Sequence, residues 1–151
     1  MKKLRYKKNK IKHNFTISIY NLSGKPIPIK WRREVIRLVK RCFLLSKVLS
    51  VDVSLIFIKP GIMRQLNLIY RRINKVTDVL SFLYQVNRQG LDGEIFICLT
   101  QAKVQAVRYR HALAKEIYIL AIHGALHLAG YDHKLSKQYQ VMNSLQQKVL
   151  N

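Results

Sequence analysis

Three of the five histidines in this chain fall within eleven residues, in the segment "HGALHLAGYDH" (residues 123–133). His123 and His127 are four positions apart, which on an α-helix corresponds to about 40° of rotation and ~6 Å of rise. Both imidazoles therefore leave the same face of a helix, one turn apart, where they can reach one cation. The spacing predicts a metal site built on a helix.

A glycine between the second and third histidines provides a way to bring His133 to the same ion. Gly130 can adopt a positive φ and end the helix, so that the chain bends back. Three imidazole nitrogens at about 2.0–2.1 Å suit Zn²⁺, and three protein ligands leave one tetrahedral position open, as in catalytic sites. The alternative is that these are ordinary histidines on an apolar helix face. The spacing together with the glycine favours one zinc ion per chain.

The apolar pattern predicts the elements that must position these histidines. Alternation with a period of two and β-branched runs predict strands, whereas apolar residues three or four positions apart predict helices. The predicted strands span 15–21, 51–59, 78–85 and 94–99, and the predicted helices span 31–48, 62–72, 101–111 (N-cap Thr100), 113–129 and 135–150. Four strands among about five helices indicate one α+β domain over residues 14–151.

The charge of the chain is strongly positive, with 28 basic and 7 acidic residues and a net charge of +21. Seven basic residues lie in residues 1–13, which we expect to form a mobile arm. One face of the helix predicted over 31–48 carries Arg32, Arg33 and Arg37 as candidate RNA contacts, or alternatively as a solvated basic face. Such a surface favours nucleic acid as the partner, with an anionic membrane as second candidate. A genome of biased composition would also raise the lysine content.

The composition argues against secreted and membrane-spanning classes. No apolar run approaches the ~18–20 residues that cross a bilayer, and the charged start is not followed by the apolar stretch of a secretory signal. The two cysteines, Cys42 and Cys98, lie among apolar neighbours and predict free thiols without a disulfide. We therefore expect a cytoplasmic protein that does not enter the membrane. Nothing in the sequence fixes its oligomeric state.

The histidine spacing resembles the H-E-x-x-H-x-x-G-x-x-H pattern of the metzincin proteases at every position but one. In those enzymes a glutamate follows the first histidine and acts as general base. The corresponding residue here is Gly124, which cannot move a proton. The usual peptidase machinery is therefore missing.

Three motifs resemble those of the YbeY family, the metal-dependent bacterial endoribonucleases of ribosomal RNA maturation. The family signature H-G-x-L-H-L-x-G-Y-D-H matches residues 123–133 at every fixed position. The pattern L-N-x-x-Y-R…T-D-V-L-S-F matches "LNLIYRRINKVTDVLSF" at residues 66–82, and G-D-I-x-I resembles "GEIFI" at residues 93–97. The motifs cover roughly residues 50–135 in the family's order.

The resemblance implies a mixed sheet, a zinc ion on His123, His127 and His133, and hydrolysis of single-stranded RNA. It also implies maturation of small-subunit ribosomal RNA near its 3′ end, association with the ribosome or its small subunit, and a cytoplasmic location. The functionally important arginine of the family falls on Arg71. A guanidinium suits that role because it stabilises phosphate charge through two parallel hydrogen bonds.

The chain departs from the family pattern at several positions. The usual K-P-T reads Lys75-Val76-Thr77, the aspartate of G-D-I is Glu94, and an acidic residue of the last helix is Gln146. Metal-binding histidines normally donate their other N–H to a carboxylate or carbonyl. The candidates for that second layer of contacts are Asp78, Glu94 and Asp132, and the sequence does not choose among them.

We therefore expect a single-strand-specific endoribonuclease in which Arg71 stabilises charge on the phosphate. One alternative is a ribosome-assembly factor that binds RNA without catalysis and uses zinc only to hold its fold. Another is a metalloprotease with the same three-histidine geometry. Gly124 and the charge of +21 argue against the protease.

Overall fold

The computed structural model describes residues 13–88 and 90–151. In chain order the elements are β1 (Asn14–Asn21), α1 (Ile29–Leu45), β2 (Ser50–Ile58), α2 (Pro60–Arg71), β3 (Val79–Val86), β4 (Leu91–Cys98), α3 (Leu99–Arg108), α4 (Leu113–Leu128) and α5 (Ser136–Leu150). The predicted α+β class is confirmed. The expected basic arm over residues 1–13 lies outside the described residues except for His13.

The strands form one sheet in the order β1-β2-β4-β3. β1 pairs with β2 and β2 with β4 in parallel, whereas β3 pairs antiparallel with β4. The sheet is therefore mixed, as expected. A short hairpin is sufficient to join β3 to its antiparallel neighbour, whereas the parallel pairs need helical crossovers. A bulge between Leu83 and Gln85 interrupts the register of β3.

Each face of the sheet packs against different helices. Alternate residues of β2, such as Val53 and Leu55, join one large core with α1, α4 and α5. Ile56 and Ile58, which lie at the alternate positions further along the strand, point to the other face and form a smaller core with Met63 of α2. Because neighbouring strand residues face opposite sides of a sheet, β3 presents one row of side chains to α4 and another to α2. Both rows help to build the site described below.

Helix ends account for most differences from the predicted bounds. Lys47, Arg72 and Arg110 have φ of 59°, 59° and 54° and follow the ends of α1, α2 and α3. Glycine usually occupies such positions. Because no glycine marks the ends of α1 and α3, both helices end earlier than the sequence pattern predicts. The prediction of Thr100 as an N-cap was wrong: α3 begins at Leu99, directly after the last residue of β4, and Cys98 is its N-cap.

Both cysteines are free and buried in this fold. Burial raises the pKa of Cys42 to about 12, so this thiol stays protonated and unreactive. Within the described ranges, no helix is both long enough and apolar enough to cross a bilayer.

Candidate metal centre

The first two histidines of the cluster lie on α4, which packs directly against the sheet. His123 and His127 are half-buried, and Gly124 beside them is fully covered. A Cβ at Gly124 would lie 2.6 Å from Ile95 Cγ2 and 3.0 Å from Ser81 Oγ. Glycine is therefore required for this close contact between α4 and the strands. The Ser81 hydroxyl also donates a 3.2 Å hydrogen bond to the Gly124 carbonyl, which fixes the helix along β3.

The turn after α4 brings His133 back to the same place. Gly130 has a φ of 94°, and its N–H donates to the His127 carbonyl at 3.0 Å. The Tyr131 N–H donates to the Leu126 carbonyl, also at 3.0 Å. These two bonds form a Schellman motif, which ends a helix with a residue in the left-handed conformation. The predicted role of Gly130 as the residue that ends the helix is confirmed.

The three imidazoles converge closely enough to share one ion. His123 Nε2 and His127 Nε2 are 3.1 Å apart, and one nitrogen from each histidine lies within 4.8 Å of the others. Two nitrogens bound tetrahedrally to zinc at ~2.1 Å would be about 3.4 Å apart. The observed separations are therefore suitable for a metal ion after only small adjustments of the rings.

The surroundings also favour the ligating form of these rings. Burial lowers the pKa of His123 and of His127 below the ordinary 6.5, and the nearby histidines lower it further. A metal binds the neutral imidazole. Both α4 histidines are consequently in the ligating form at neutral pH.

The second layer of contacts combines one residue of α5 with one of the predicted acids. The Gln146 side chain is hydrogen-bonded to His123, which partly opposes the fall in the pKa of that ring. Asp132 Oδ1 accepts the His133 backbone N–H at 2.7 Å and lies 4.0 Å from His133 Nδ1. The His133 N–H lowers the pKa of Asp132, so the carboxylate is ionised beside the exposed histidine.

Asp78, at the entry to β3, is held by three donors. Its Oδ1 accepts from Thr77 Oγ1 at 3.0 Å and from the Val79 N–H at 2.8 Å, and its Oδ2 accepts from Gln105 Nε2 at 3.0 Å. The carboxylate contributes favourable charge to His123. Asp78 therefore supports the site electrostatically while its oxygens are engaged elsewhere.

Glu94 lies on the face of β4 that points away from α4. Its neighbour Ile95 packs in the core beneath α4, so Glu94 must face the opposite side. There Glu94 Oε2 accepts a hydrogen bond from the Tyr84 hydroxyl, which raises the pKa of Tyr84 to about 12. The structure thus places Glu94 apart from the histidines, whereas Asp78 and Asp132 lie beside them.

The three histidines open into a cleft of 750 Å³ that also includes Arg71, Asp78 and Asp132. Arg71 is the last residue of α2, and Arg72 leaves the helix with a positive φ. The buried Asn67 holds the following loop, because its Nδ2 donates to the Lys75 carbonyl at 2.8 Å. Arg71, which is exposed, is thereby placed at the cleft.

The arginines of α1 lie elsewhere. Arg37 is paired with Glu34 at 2.5 Å, and Arg32 Nε donates to the Ile27 carbonyl at 3.2 Å. Arg33 is exposed. Among the described residues, those lining the cleft include none of Arg32, Arg33 and Arg37. RNA binding by this helix stays a prediction.

Sequence reasoning missed several residues that line the cleft. Thr77 and Ser81 lie within the motif at residues 66–82, and Tyr131 lies within the histidine segment, yet none was assigned a role. Lys134 follows the segment directly and adds a cation to the cleft. Proximity in sequence to the recognised motifs was the available signal for all of them.

Together these features define a mixed α+β protein with a three-histidine site able to hold a metal ion. The sequence model of the family described as Endoribonuclease YbeY matches residues 8–151. The chain belongs to the YbeY family.

Individual relatives and one solved structure agree with this assignment. An Endoribonuclease YbeY of Acholeplasma laidlawii is 43% identical over 100 residues, covering 66% of this chain and 73% of the relative. That of Staphylococcus carnosus is 32% identical over 146 residues, covering 91% and 95%. The solution structure of TM1509 from Thermotoga maritima has a TM-score of 0.60 at 24% identity over 89% of each chain, which shows a shared fold.

Proposed function

We propose that this protein is a metal-dependent endoribonuclease that cuts single-stranded RNA and holds one Zn²⁺ on His123, His127 and His133. The observation that carries the proposal is the convergence of three histidine nitrogens within 4.8 Å in a cleft shared with Arg71. Three imidazoles are a ligand set that suits zinc, and a set of three leaves a position open to a substrate. The names of the family relatives support RNA as the substrate.

The bound ion would supply a Lewis acid that polarises a phosphate oxygen and makes a water molecule more acidic. Arg71 would hold the phosphate through paired hydrogen bonds that strengthen as negative charge develops in the transition state. Lys134 adds a second positive charge to the same cleft. Gln146 and Asp132 would keep the histidine rings oriented toward the ion.

Ribosomal RNA is the proposed natural substrate. The net charge of +21 favours binding to a phosphate backbone, although contacts of this kind carry no sequence information. A cut near the 3′ end of the small-subunit RNA, made on or near the ribosome in the cytoplasm, is the expected context.

The geometry argues against proteolysis by the metzincin mechanism. Those enzymes need a glutamate at the position of Gly124, where even a Cβ would meet Ile95 at 2.6 Å. A purely structural role for zinc is disfavoured too, because structural zinc sites are normally closed by four protein ligands.

The first experiment combines metal analysis of the purified protein with cleavage of labelled single-stranded and duplex RNA. Wild type should carry about one zinc per chain and cut only the single strand. His127→Ala should lose both metal and cleavage. Arg71→Ala should keep the metal and cut ~10²–10³-fold more slowly, since one stabilising donor of the transition state is removed.

Arg72→Ala is the matched control for Arg71→Ala. Arg72 is the next residue and is also exposed. Arg71 is among the described residues that line the cleft, whereas Arg72 is not. Arg72→Ala should cut RNA at nearly the wild-type rate. Equal loss in both arginine variants would remove Arg71 from the chemistry, and full activity of metal-free His127→Ala would end the proposal.

A further inference from the structure

A second cavity, of 340 Å³, adjoins the cleft of the three histidines. Leu83, Leu128 and Gly130 line both cavities, so that they form one continuous groove. Along β3 the groove extends from Val79 to Val86. At ~3.3 Å per strand residue this is about 23 Å, which is more than a single phosphodiester group occupies. A groove of this length can therefore hold a longer segment of the substrate.

The walls of this second cavity are apolar and open to solvent. Leu49, Leu83 and Val86 line it, and their exposed fractions are 44%, 44% and 64%. Clustered exposed apolar side chains with a polar rim mark a binding groove more often than a bare surface. The faces of an unpaired nucleobase are apolar and can pack against such a surface when they leave the stack.

The rim of the cavity carries cations. Lys47 and Arg88 both line it and are exposed. Lys47 is held just after α1 by hydrogen bonding of its N–H to the Leu44 carbonyl at 3.2 Å. Among the described residues that line this cavity there is no carboxylate, whereas the histidine cleft contains Asp78 and Asp132. The rim is therefore suited to an anionic ligand.

We propose that this second cavity is the subsite for the nucleotide next to the scissile phosphate in an unpaired RNA strand. Its base lies against Leu83 and Val86, and its phosphate pairs with Lys47 and Arg88. The inference rests on the proposed endoribonuclease function and deepens it, because a base that is held in a duplex cannot present its face to this wall. The subsite thus contributes to selectivity for single strands.

The test compares two exposed valines that receive the same substitution. Val86→Glu places a negative charge in the subsite, whereas Val107→Glu places it on α3, where the valine is 75% exposed. Both variants change the net charge equally, so a difference between them reports a local contact. We would measure the Kd of a short labelled RNA with cleavage-resistant phosphorothioate linkages. Val86→Glu should bind at least ~10-fold more weakly than Val107→Glu, as a like charge beside a phosphate requires.

A double variant removes both rim cations without altering the strand. The double variant Lys47→Gln/Arg88→Gln should lower the slope of log Kd against log salt by ~0.7, the value for one lost phosphate contact on a single strand. Lys103→Gln, an exposed lysine of α3, serves as control. Wild type should bind an RNA that lacks one base beside the cut site more weakly than it binds the intact RNA. Val86→Glu should bind the two RNAs equally.

Equal Kd values for the two glutamate variants, with an unchanged salt slope in the double glutamine variant, would overturn the subsite. Because the RNA is not cut, this outcome is independent of the nuclease activity. A wild type that cleaves RNA while these variants bind normally refutes the subsite alone. A wild type that never cleaves RNA refutes the proposed function, and the subsite with it.

Discussion

The Gly124→Ala substitution tests the closest contact between α4 and the sheet. The added methyl group would lie 2.6 Å from Ile95 Cγ2, whereas carbon atoms in contact are about 3.5–4.0 Å apart. The two elements would have to separate by roughly 1 Å. Ile95 is fully buried and β-branched, so its side chain cannot rotate out of the way.

Opposing effects set the magnitude of this change. Alanine has a better intrinsic helix propensity than glycine by about 0.8–1 kcal/mol. Overpacking of a filled core costs about 1–3 kcal/mol. The 3.2 Å hydrogen bond from Ser81 Oγ to the Gly124 carbonyl would be stretched as well, and such a bond contributes about 0.5–1.5 kcal/mol. We therefore expect the free energy of unfolding to fall by about 1–2 kcal/mol, which lowers Tm by ~2–8 °C.

Gly61→Ala is the matched control, because Gly61 also lies in a helix and a Cβ there would meet nothing within 4 Å. It should raise stability by up to ~1 kcal/mol through helix propensity alone. Urea denaturation of both variants in a chelating buffer measures the difference without a contribution from metal. Gly124→Ala should also bind zinc more weakly, since His123 and His127 move with the helix. Stabilisation of both variants to the same extent would refute the close contact.

Three further predictions concern the surroundings of the site and the helix ends. Gln146→Leu should weaken zinc binding ~10–100-fold in a chelator competition, as loss of a histidine's hydrogen-bond partner usually does. Gln146→Glu should retain the affinity. Equal affinity of wild type and both variants would contradict the contact with His123. Arg110→Gly should raise the free energy of unfolding by ~1–2 kcal/mol, because Arg110 has a φ of 54° that only glycine adopts without strain. An unchanged urea midpoint would contradict this prediction. The lowered pKa of His123 and His127 means that the unfolded chain binds more protons at pH values just below 6.5. The free energy of unfolding of the metal-free protein should therefore fall as the pH decreases below 6.5. Urea titrations on either side of that pH should show that this free energy depends less on pH in His127→Gln than in wild type.

Periodic patterns made most of the fold predictable. The alternation in residues 15–21 and the three-and-four spacing of the first helix each reflect burial of one face, which sequence records directly. The histidine cluster was predictable for the same reason, because its members are close in the chain and their geometry follows from one helix and one turn. The order of the strands in the sheet was less predictable, because no local sequence pattern indicates that β4 lies between β2 and β3.

Contacts that depend on packing between elements were harder to predict. Glu94 was a reasonable partner for a histidine from its motif, yet the alternation of β4 places it on the opposite face, beside Tyr84. Gln146 is distant in sequence and was noted only as a departure from a family pattern, although it contacts His123. Gly124 was interpreted as a missing base, and the structure adds that any side chain there would collide with Ile95.

The three histidines occupy one short, continuous segment, 123–133, which has a consequence for when the metal is acquired. Bringing them together closes only a small loop, which costs less conformational entropy than closing a long one. The unfolded segment should therefore keep measurable affinity for zinc, and binding to the unfolded state reduces the stability gained from a metal. We expect a synthetic peptide of residues 121–135 to bind zinc by itself. During synthesis, this segment would then be able to capture its ion as it leaves the ribosome, before α5 has been made.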